Sequence, residues 1–318
     1  MKFVRWDEGD LPVEAFCELW NAELAAHFPI SKRLFIQNSI DCPHLFSDGS
    51  WYAVAEDRVI GFVTTKYTNE QEDLLPTEVG WIQALLVQKE FRNHGIGSQL
   101  LEKAERALSD LGVDKVLIGG DIHHYFPGVP SLVSNMGQWL ENRKYSKVNE
   151  VKDFYRAAPS QAEEISVTNI TLSSVSKDEE VPFLLFMEDA FPGRWEYEAR
   201  EYFNRGGDGS HFIAARYGDE IIGFVHLNDL DSPVIGPNLY WYGLFKEKLG
   251  GIGPLGIKED YRKNGYGAAI VQKAINTAIE RGCKHLVIDW TELDEFYMSF
   301  GFEPWKEFLQ YEKCMNNG

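Results

Sequence analysis

The chain has 318 residues, 44% of them hydrophobic and 25% charged, with a net charge of −18 at pH 7. That length suits two domains of ordinary size, each able to bury its own core. The acidic balance argues against nucleic acid as the main partner, because phosphate contacts need basic patches, and no apolar run reaches the roughly 18 residues of a membrane span.

The opening Met1-Lys2-Phe3-Val4-Arg5-Trp6-Asp7 lacks the apolar core of a signal peptide. A cytoplasmic protein is expected, working without a membrane or nucleic-acid partner, as a monomer or homodimer. Cys17, Cys42, Cys283 and Cys314 are far apart and form no C-x-x-C pair. They read as isolated thiols rather than disulfides or a zinc site, and no metal is expected.

Along the chain, residues 13–26 read as helical and aromatic-rich. Tyr52 to Val63 reads as two strands around the acidic turn Glu56-Asp57. The apolar run Ala84-Leu85-Leu86-Val87 then leads to Arg92-Asn93-His94-Gly95-Ile96-Gly97-Ser98, and the spacing predicts a helix over 98–111. Leu100, Leu101, Ala104, Ala107, Leu108 and Leu111 share one face of it, and Gly112 sits where a helix C-cap belongs. The strand Val116-Leu117-Ile118 follows, then a turn-rich stretch from Gly119 to Pro130.

Residues 157–164 carry the weakest patterning and read as a linker. Beyond it the order repeats, from a strand at Ile165-Ser166-Val167 through helical residues 181–203 to the hairpin from Phe212 to Val225. Next come the run Pro254-Leu255-Gly256-Ile257, the loop Arg262-Lys263-Asn264-Gly265-Tyr266-Gly267-Ala268, a predicted helix over 268–281 and the strand Leu286-Val287-Ile288. Gly61 and Gly223 of the hairpins are 162 positions apart, and Gly95 and Gly265 of the loops 170 apart. The second copy therefore carries about eight extra residues between Asp229 and Gly251. Two domains are expected, 1–158 and 165–318.

A backbone that bends at two glycines and then starts a helix aims several N–H groups at one point, with the positive helix end behind them. Both loops therefore read as sites for a phosphate or pyrophosphate. A dinucleotide fingerprint would need a third glycine where Leu100 and Ile270 stand, and a Walker A loop would need Gly-Lys-Ser/Thr, which neither copy has.

A strand followed by Arg-x-x-Gly-x-Gly and a helix resembles the acetyl-CoA loop of the GNAT (GCN5-related N-acetyltransferase) superfamily. The stretch Glu295-Phe296-Tyr297-Met298-Ser299-Phe300-Gly301-Phe302 looks like that family's later Phe-Tyr-x-x-x-Gly-Phe motif. The resemblance covers nearly the whole chain in two copies, an arrangement also found in mycothiol-synthase-like enzymes. It implies an α/β fold of two GNAT-like domains, each a twisted mixed sheet flanked by helices. It also implies transfer of an acetyl group from acetyl-CoA to a small-molecule amine acceptor, with the chemistry in the second domain; the alternatives are two domains catalytic on different acceptors, or an acyl-CoA-binding sensor without turnover.

Carried over by motif position, the resemblance implies CoA contacts from Leu255, Gly256, Ile257, Arg262, Lys263, Asn264, Gly265, Tyr266, Gly267 and Ala268. In the first copy it implies them from Leu86, Val87, Arg92, Asn93, His94, Gly95, Ile96, Gly97 and Ser98. Backbone N–H groups around Leu255 to Ile257 would hold the thioester oxygen. Tyr297 occupies the position of the acid that reprotonates the CoA thiolate. Asp289 and Glu292 are candidate bases for the incoming ammonium, with a water chain as the alternative.

The copies differ. Leu140 stands where the first copy would need the tyrosine, which leaves that domain to bind CoA without turnover, to shape the site, or to use another acid such as Tyr125. In the second copy Trp290 and Leu293 replace the usual Asn and Ala, and Asn276 is a candidate to compensate. The aromatic run from Phe191 to Tyr197 lies where this superfamily builds its acceptor pocket, although core packing explains it equally well. Glu196 and Glu198 are candidates to attract an ammonium group, with a solvated helix face as the default reading, and His123-His124 read as polar loop residues rather than metal ligands.

Overall fold

The computed structural model describes residues 1–68, 74–133, 135–164 and 167–315. The expected opening of the second half at Ile165 and Ser166 lies outside them.

The chain divides into two compact units, Met1–Val151 with Lys306–Gly318, and Lys152–Trp305. The first contains β1 (Lys2–Arg5), α1 (Val13–Leu24), α2 (Lys32–Phe35), β2 (Trp51–Ala55), β3 (Arg58–Tyr67), β4 (Val79–Val87) and α3 (Ile96–Asp110). It continues with β5 (Lys115–Ile118), β6 (Val129–Pro130), α4 (Met136–Glu141) and the start of β7 (Ser146–Ala157). The second contains β8 (Thr171–Ser174), α5 (Glu180–Ala190), α6 (Arg194–Asn204), β9 (Phe212–Tyr217), β10 (Glu220–Asn228) and β11 (Leu249–Ile257). Then come α7 (Tyr266–Glu280), β12 (His285–Thr291), α8 (Asp294–Met298) and the start of β13 (Glu303–Cys314). The expected fold of two repeated mixed α/β units is what the chain adopts.

Within the first unit the sheet runs β1-β2-β3-β4-β5-β13, antiparallel except for the parallel pair β4–β5. The second unit repeats it as β8-β9-β10-β11-β12-β7, with β11–β12 the parallel pair. The last strand of each is exchanged. Lys152–Ala157 of β7 pairs with β12, and Tyr311–Cys314 of β13 pairs with β5. The compact units therefore differ from the contiguous halves 1–158 and 165–318. Motif spacing locates strands but says nothing about which sheet a terminal strand joins.

Both parallel ladders are short. They end at Ile82–Ile118 and at Gly251–Val287, which leaves the C-terminal ends of β4 and β11 with one open edge.

The helices that follow bury one face each. In α3 these residues are Leu100, Leu101, Ala104 and Leu108, while Leu111 is 42% exposed. In α7 they are Ile270, Val271, Ala274, Ile275 and Ala278, none with measurable exposure. Both helices begin two residues earlier than the sequence spacing predicts. Gly95 and Gly265, at φ 79° and 77°, serve as their left-handed N-caps, a conformation glycine adopts without steric cost.

Candidate functional site

The second-unit loop alternates handedness. Lys263 and Gly265 both have positive φ, and Asn93 and Gly95 repeat this in the first unit. Such alternation gathers successive N–H groups into a concave anion-binding nest. The side chains mostly brace the loop. Arg262 Nε donates to the Ile257 carbonyl at 3.0 Å, and Asn264 Nδ2 donates to the carbonyls of Tyr261 and Arg262 at 3.2 and 3.1 Å. In the first unit Arg92 Nε donates to the Val87 carbonyl at 2.9 Å, and His94 Nδ1 lies 2.7 Å from the Arg92 carbonyl.

A cleft of about 440 Å³ opens over the second loop. Leu255, Gly256, Ile257, Arg262, Lys263, Gly265, Tyr266, Gly267 and Ala268 line it, so all the expected loop residues meet there except Asn264. Phe191, Trp195, Tyr261 and Phe296 complete the wall. The aromatic run that leads into α6 was the sequence signal for Phe191 and Trp195. A Cβ on Gly267 would lie 4.0 Å from Ile257 and Phe296 and touch nothing closer, while one on Gly265 would meet nothing within 4 Å. The loop surface is thus clear of the protein's own atoms, as a phosphate cradle requires.

The direction of the strand N–H groups follows from the ladder. Lys258 N–H donates to the Ile222 carbonyl at 2.8 Å, and Gly256 stands opposite Phe224. Alternation in an antiparallel pair turns Gly256 and Lys258 toward β10, and Leu255 and Ile257 away from it. Past Gly251 no β12 partner waits on that side. The N–H groups of Leu255 and Ile257 are therefore available at the cleft, and that of Gly256 is not. In the first unit Gln88 N–H donates to the Ile60 carbonyl at 2.8 Å. By the same alternation Leu86 faces β3, and Val87 faces the open edge.

Asp289 lies near the end of β12 and is partly buried. Burial and the nearby negative Glu198 push its carboxyl up to about 7, against the pull of Arg194 and a hydrogen bond from the Asn238 amide. Tyr297, on α8, is only 5% exposed and packs beside Phe154, Phe296 and Phe302. Burial and the Asp289 charge push its hydroxyl up to about 12. Its neighbour Phe296, rather than Tyr297, lines the cleft. Glu292 is exposed after the end of β12, and neither it nor Asp289 is part of the cleft wall.

Other expectations need correction. Asn276 is occupied with the backbone of Glu163, donating to its carbonyl at 2.8 Å and accepting from its N–H at 3.1 Å, and it does not line the cleft. Glu196 is not solvated. It is 2% exposed and bound to Arg200 at 2.6 Å. Phe191 and Trp195 of the aromatic run face the cleft, while Tyr202 and Phe203 farther along α6 sit in the core.

The first unit is arranged differently around its loop. Arg92 and the Lys89 N–H are both engaged by Glu23 of α1. Ser98 Oγ accepts from Arg143, whose guanidinium lies 3.8 Å from the Trp139 ring centre. Leu140 is buried at 2% exposure. Tyr125 is also buried, with its hydroxyl 2.8 Å from Ser39 Oγ and 3.3 Å from the Phe35 carbonyl. Lys66 and Asp121 form a buried ion pair at 2.7 Å, and Gln83 accepts from Ser39 at 2.9 Å. His123 and His124 lie in the loop between β5 and β6 and are buried there.

Among the described residues no cluster of three His, Cys, Asp or Glu side chains suits a metal ion, and no helix is long and apolar enough to cross a membrane.

The acetyltransferase (GNAT) family profile matches residues 13–124 and 181–302. The chain belongs to that family, whose members generally use acetyl-CoA. Similar solved structures include a region of a fungal multi-domain GH3 beta-N-acetylglucosaminidase described as a GCN5-related glucosamine N-acetyltransferase. It gives a TM-score of 0.84 at 21% identity, over 98% of this chain and 38% of that one. A GCN5-related N-acetyltransferase from Sphaerobacter thermophilus gives 0.73 at 15% identity, over 99% and 96%. A tandem GNAT protein from the clavulanic acid biosynthesis pathway gives 0.71 at 12%, over 100% and 99%. At these identities the likeness is one of fold. Curated protein sequences gave no match.

Proposed function

We propose that this chain is an acetyl-CoA-dependent N-acetyltransferase acting on the primary amine of a small molecule, with its chemistry in the second unit. The observation that carries this reading is the open cleft over the second glycine loop, walled by that loop, by the end of β11 and by Phe296, the residue before Tyr297. The loop's clear surface and the two free strand N–H groups fit a CoA thioester, and acetyl-CoA would supply the activated acyl group.

The N–H groups of Leu255 and Ile257 receive the carbonyl oxygen as negative charge builds on it. Asp289 takes the proton of the ammonium, which must be neutral to attack. A base near 7 is well matched to that task. Tyr297 gives a proton to the departing sulfur. Once Asp289 is protonated, its charge no longer holds the Tyr297 proton in place. The base step therefore strengthens the acid needed next. Glu292, exposed to solvent, is the weaker base candidate.

In the first unit the place of the acid holds Leu140, and the Tyr125 hydroxyl is engaged by Ser39 and Phe35. This supports a binding or shaping role there rather than a second turnover site.

The test is release of free CoA by the purified protein with labelled acetyl-CoA and a panel of primary amines. Amino sugars such as glucosamine belong in the panel, given how the fungal neighbour is described. Mass spectrometry of labelled cell extract names the acceptor. Absence of any labelled amine product would sink the transferase reading and leave an acyl-CoA-binding protein.

A further inference from the structure

Between the two N–H groups of β11 that face the cleft stands a glycine, and an aromatic ring rests on it. A Cβ on Gly256 would lie 2.6 Å from Phe191 Cζ and 2.8 Å from Phe224 Cε1, too close for a real side chain. The ring of Phe191 thus takes space that a side chain at 256 would need. A glycine inside a strand often marks a close approach of this kind. In the first unit Leu86 stands opposite Phe62 as Gly256 stands opposite Phe224, and Leu86 is buried. The second unit gives up that side chain and admits a ring from the end of α5.

Phe191 is braced. It is the C-cap of α5, and its N–H donates to the Met187 carbonyl at 2.8 Å. Its ring centre lies 5.6 Å from Phe186, 5.3 Å from Phe224 and 5.6 Å from Trp195. Phe186 and Phe224 are core residues, while Phe191 and Trp195 line the cleft. Aromatic contacts on three sides hold the ring as a wall.

We propose that Phe191 sets the acyl-chain limit of the second unit, closing the cleft beside the thioester so that acetyl fits and longer linear acyl groups do not. The inference rests on the reading of the cleft as the acetyl-CoA site. A thioester oxygen held at about 2.9 Å by the Leu255 or Ile257 N–H puts the acyl carbon roughly 4 Å from the strand. The chain beyond that carbon runs along the cleft wall, and Phe191 is the wall residue seated on the strand between the two N–H groups. Acetyl places only a methyl there. Each further methylene has to displace a ring that three other rings hold, and one methylene in an apolar pocket is worth roughly tenfold or more in discrimination.

The test is calorimetric titration of the full chain with CoA, acetyl-CoA, butyryl-CoA and hexanoyl-CoA. Phe191 belongs to the second unit, so a difference between wild type and a Phe191 variant reports the site there. At that site the wild type binds butyryl-CoA and hexanoyl-CoA at least about tenfold more weakly than acetyl-CoA. Phe191→Ala recovers at least about tenfold for both long chains and keeps its affinity for CoA and acetyl-CoA. Phe191→Leu, which retains an apolar side chain, gives a smaller recovery. Equal binding of all the acyl-CoAs by the wild type, or the same order of affinities in Phe191→Ala, overturns the proposal and leaves the cleft reading standing. Loss of CoA itself in both variants makes the ring a wall for the CoA arm, which also overturns it. A wild type that binds no acetyl-CoA in the second unit overturns the cleft reading, and the proposal with it.

Discussion

Asp289 and Tyr297 are electrostatically coupled across the turn that joins β12 to α8. Burial is the larger cause of the raised tyrosine and the Asp289 charge the second. Catalysis by the pair needs the carboxyl ionised and the phenol intact, which sets a working window from about 7 to about 12. With saturating acetyl-CoA, kcat/KM should rise through about pH 7 and hold until the tyrosine or the amine intervenes. Asp289→Asn should abolish the rising limb and move the falling limb to lower pH, because the phenol then ionises more easily. A rising limb that survives in this variant would assign the base to water or to Glu292.

Replacement of Tyr297 by Phe removes one hydroxyl and leaves the packing against Phe154, Phe296 and Phe302. If the hydroxyl protonates the thiolate, kcat should fall about 10²-fold with little change in acetyl-CoA affinity. Leu140→Ala in the first unit should affect stability only, by about 2–5 kcal/mol for a buried leucine. Steady-state kinetics and urea unfolding on the two variants check this. Normal turnover in Tyr297→Phe would move the acid elsewhere.

The loops, hairpins and late motif were legible in the sequence because each depends on a local rule. Glycine permits left-handed φ at Gly95 and Gly265, and amphipathic spacing marks α3 and α7. What could not be read depends on long-range pairing. The exchange of β7 and β13 is invisible to periodicity, since both strands alternate alike. The burial of Glu196 was missed because a charged residue on an amphipathic helix defaults to solvent, and the i,i+4 spacing to Arg200 marks an ion pair without saying whether it is buried. Asp289 was singled out only by its place at a strand end. Its raised carboxyl comes from burial and from Glu198, a residue 91 positions away in the sequence.

The cradle makes a sharper prediction about binding. Gly267→Val adds a side chain where the protein leaves at least 4.0 Å of clearance. The fold should accept it, with a Tm within a few degrees of wild type, while acetyl-CoA affinity at that loop drops at least about tenfold as the phosphate loses its room. Gly97 in the first unit sits 3.6 Å from Val87 by the same measure, so Gly97→Val reports on the other loop. Calorimetry should show two sites in the wild type and one in each variant. Unchanged stoichiometry and affinity in Gly267→Val would remove the loop from the CoA site.

Stability should carry the mark of two opposed groups in the second unit. Asp289 is pushed up to about 7, whereas an unfolded aspartate titrates near 3.9. Between those values the folded chain holds a proton that the unfolded chain has lost, so this group lowers stability as pH rises. His226 behaves in the opposite sense. Burial, then the neighbouring His211 and Arg281 charges, push it down to about 3, and its Nε2 is sealed from solvent without a partner. An unfolded histidine titrates near 6.5, so this group lowers stability as pH falls from about 6.5 toward about 3. The two slopes offset one another over much of the acid range. Asp289→Asn removes the first, and the variant should gain on the wild type steadily from pH 4 to pH 7, by at most about 4 kcal/mol, then run parallel to it. His226→Phe keeps the ring beside Phe212, 4.3 Å away and nearly parallel, and should lose the acid-side decline instead. Urea unfolding at intervals between pH 4 and 8 measures both. Parallel curves for wild type and Asp289→Asn across the whole range would mean that Asp289 titrates as an ordinary surface carboxylate, and the base assignment would fall with it.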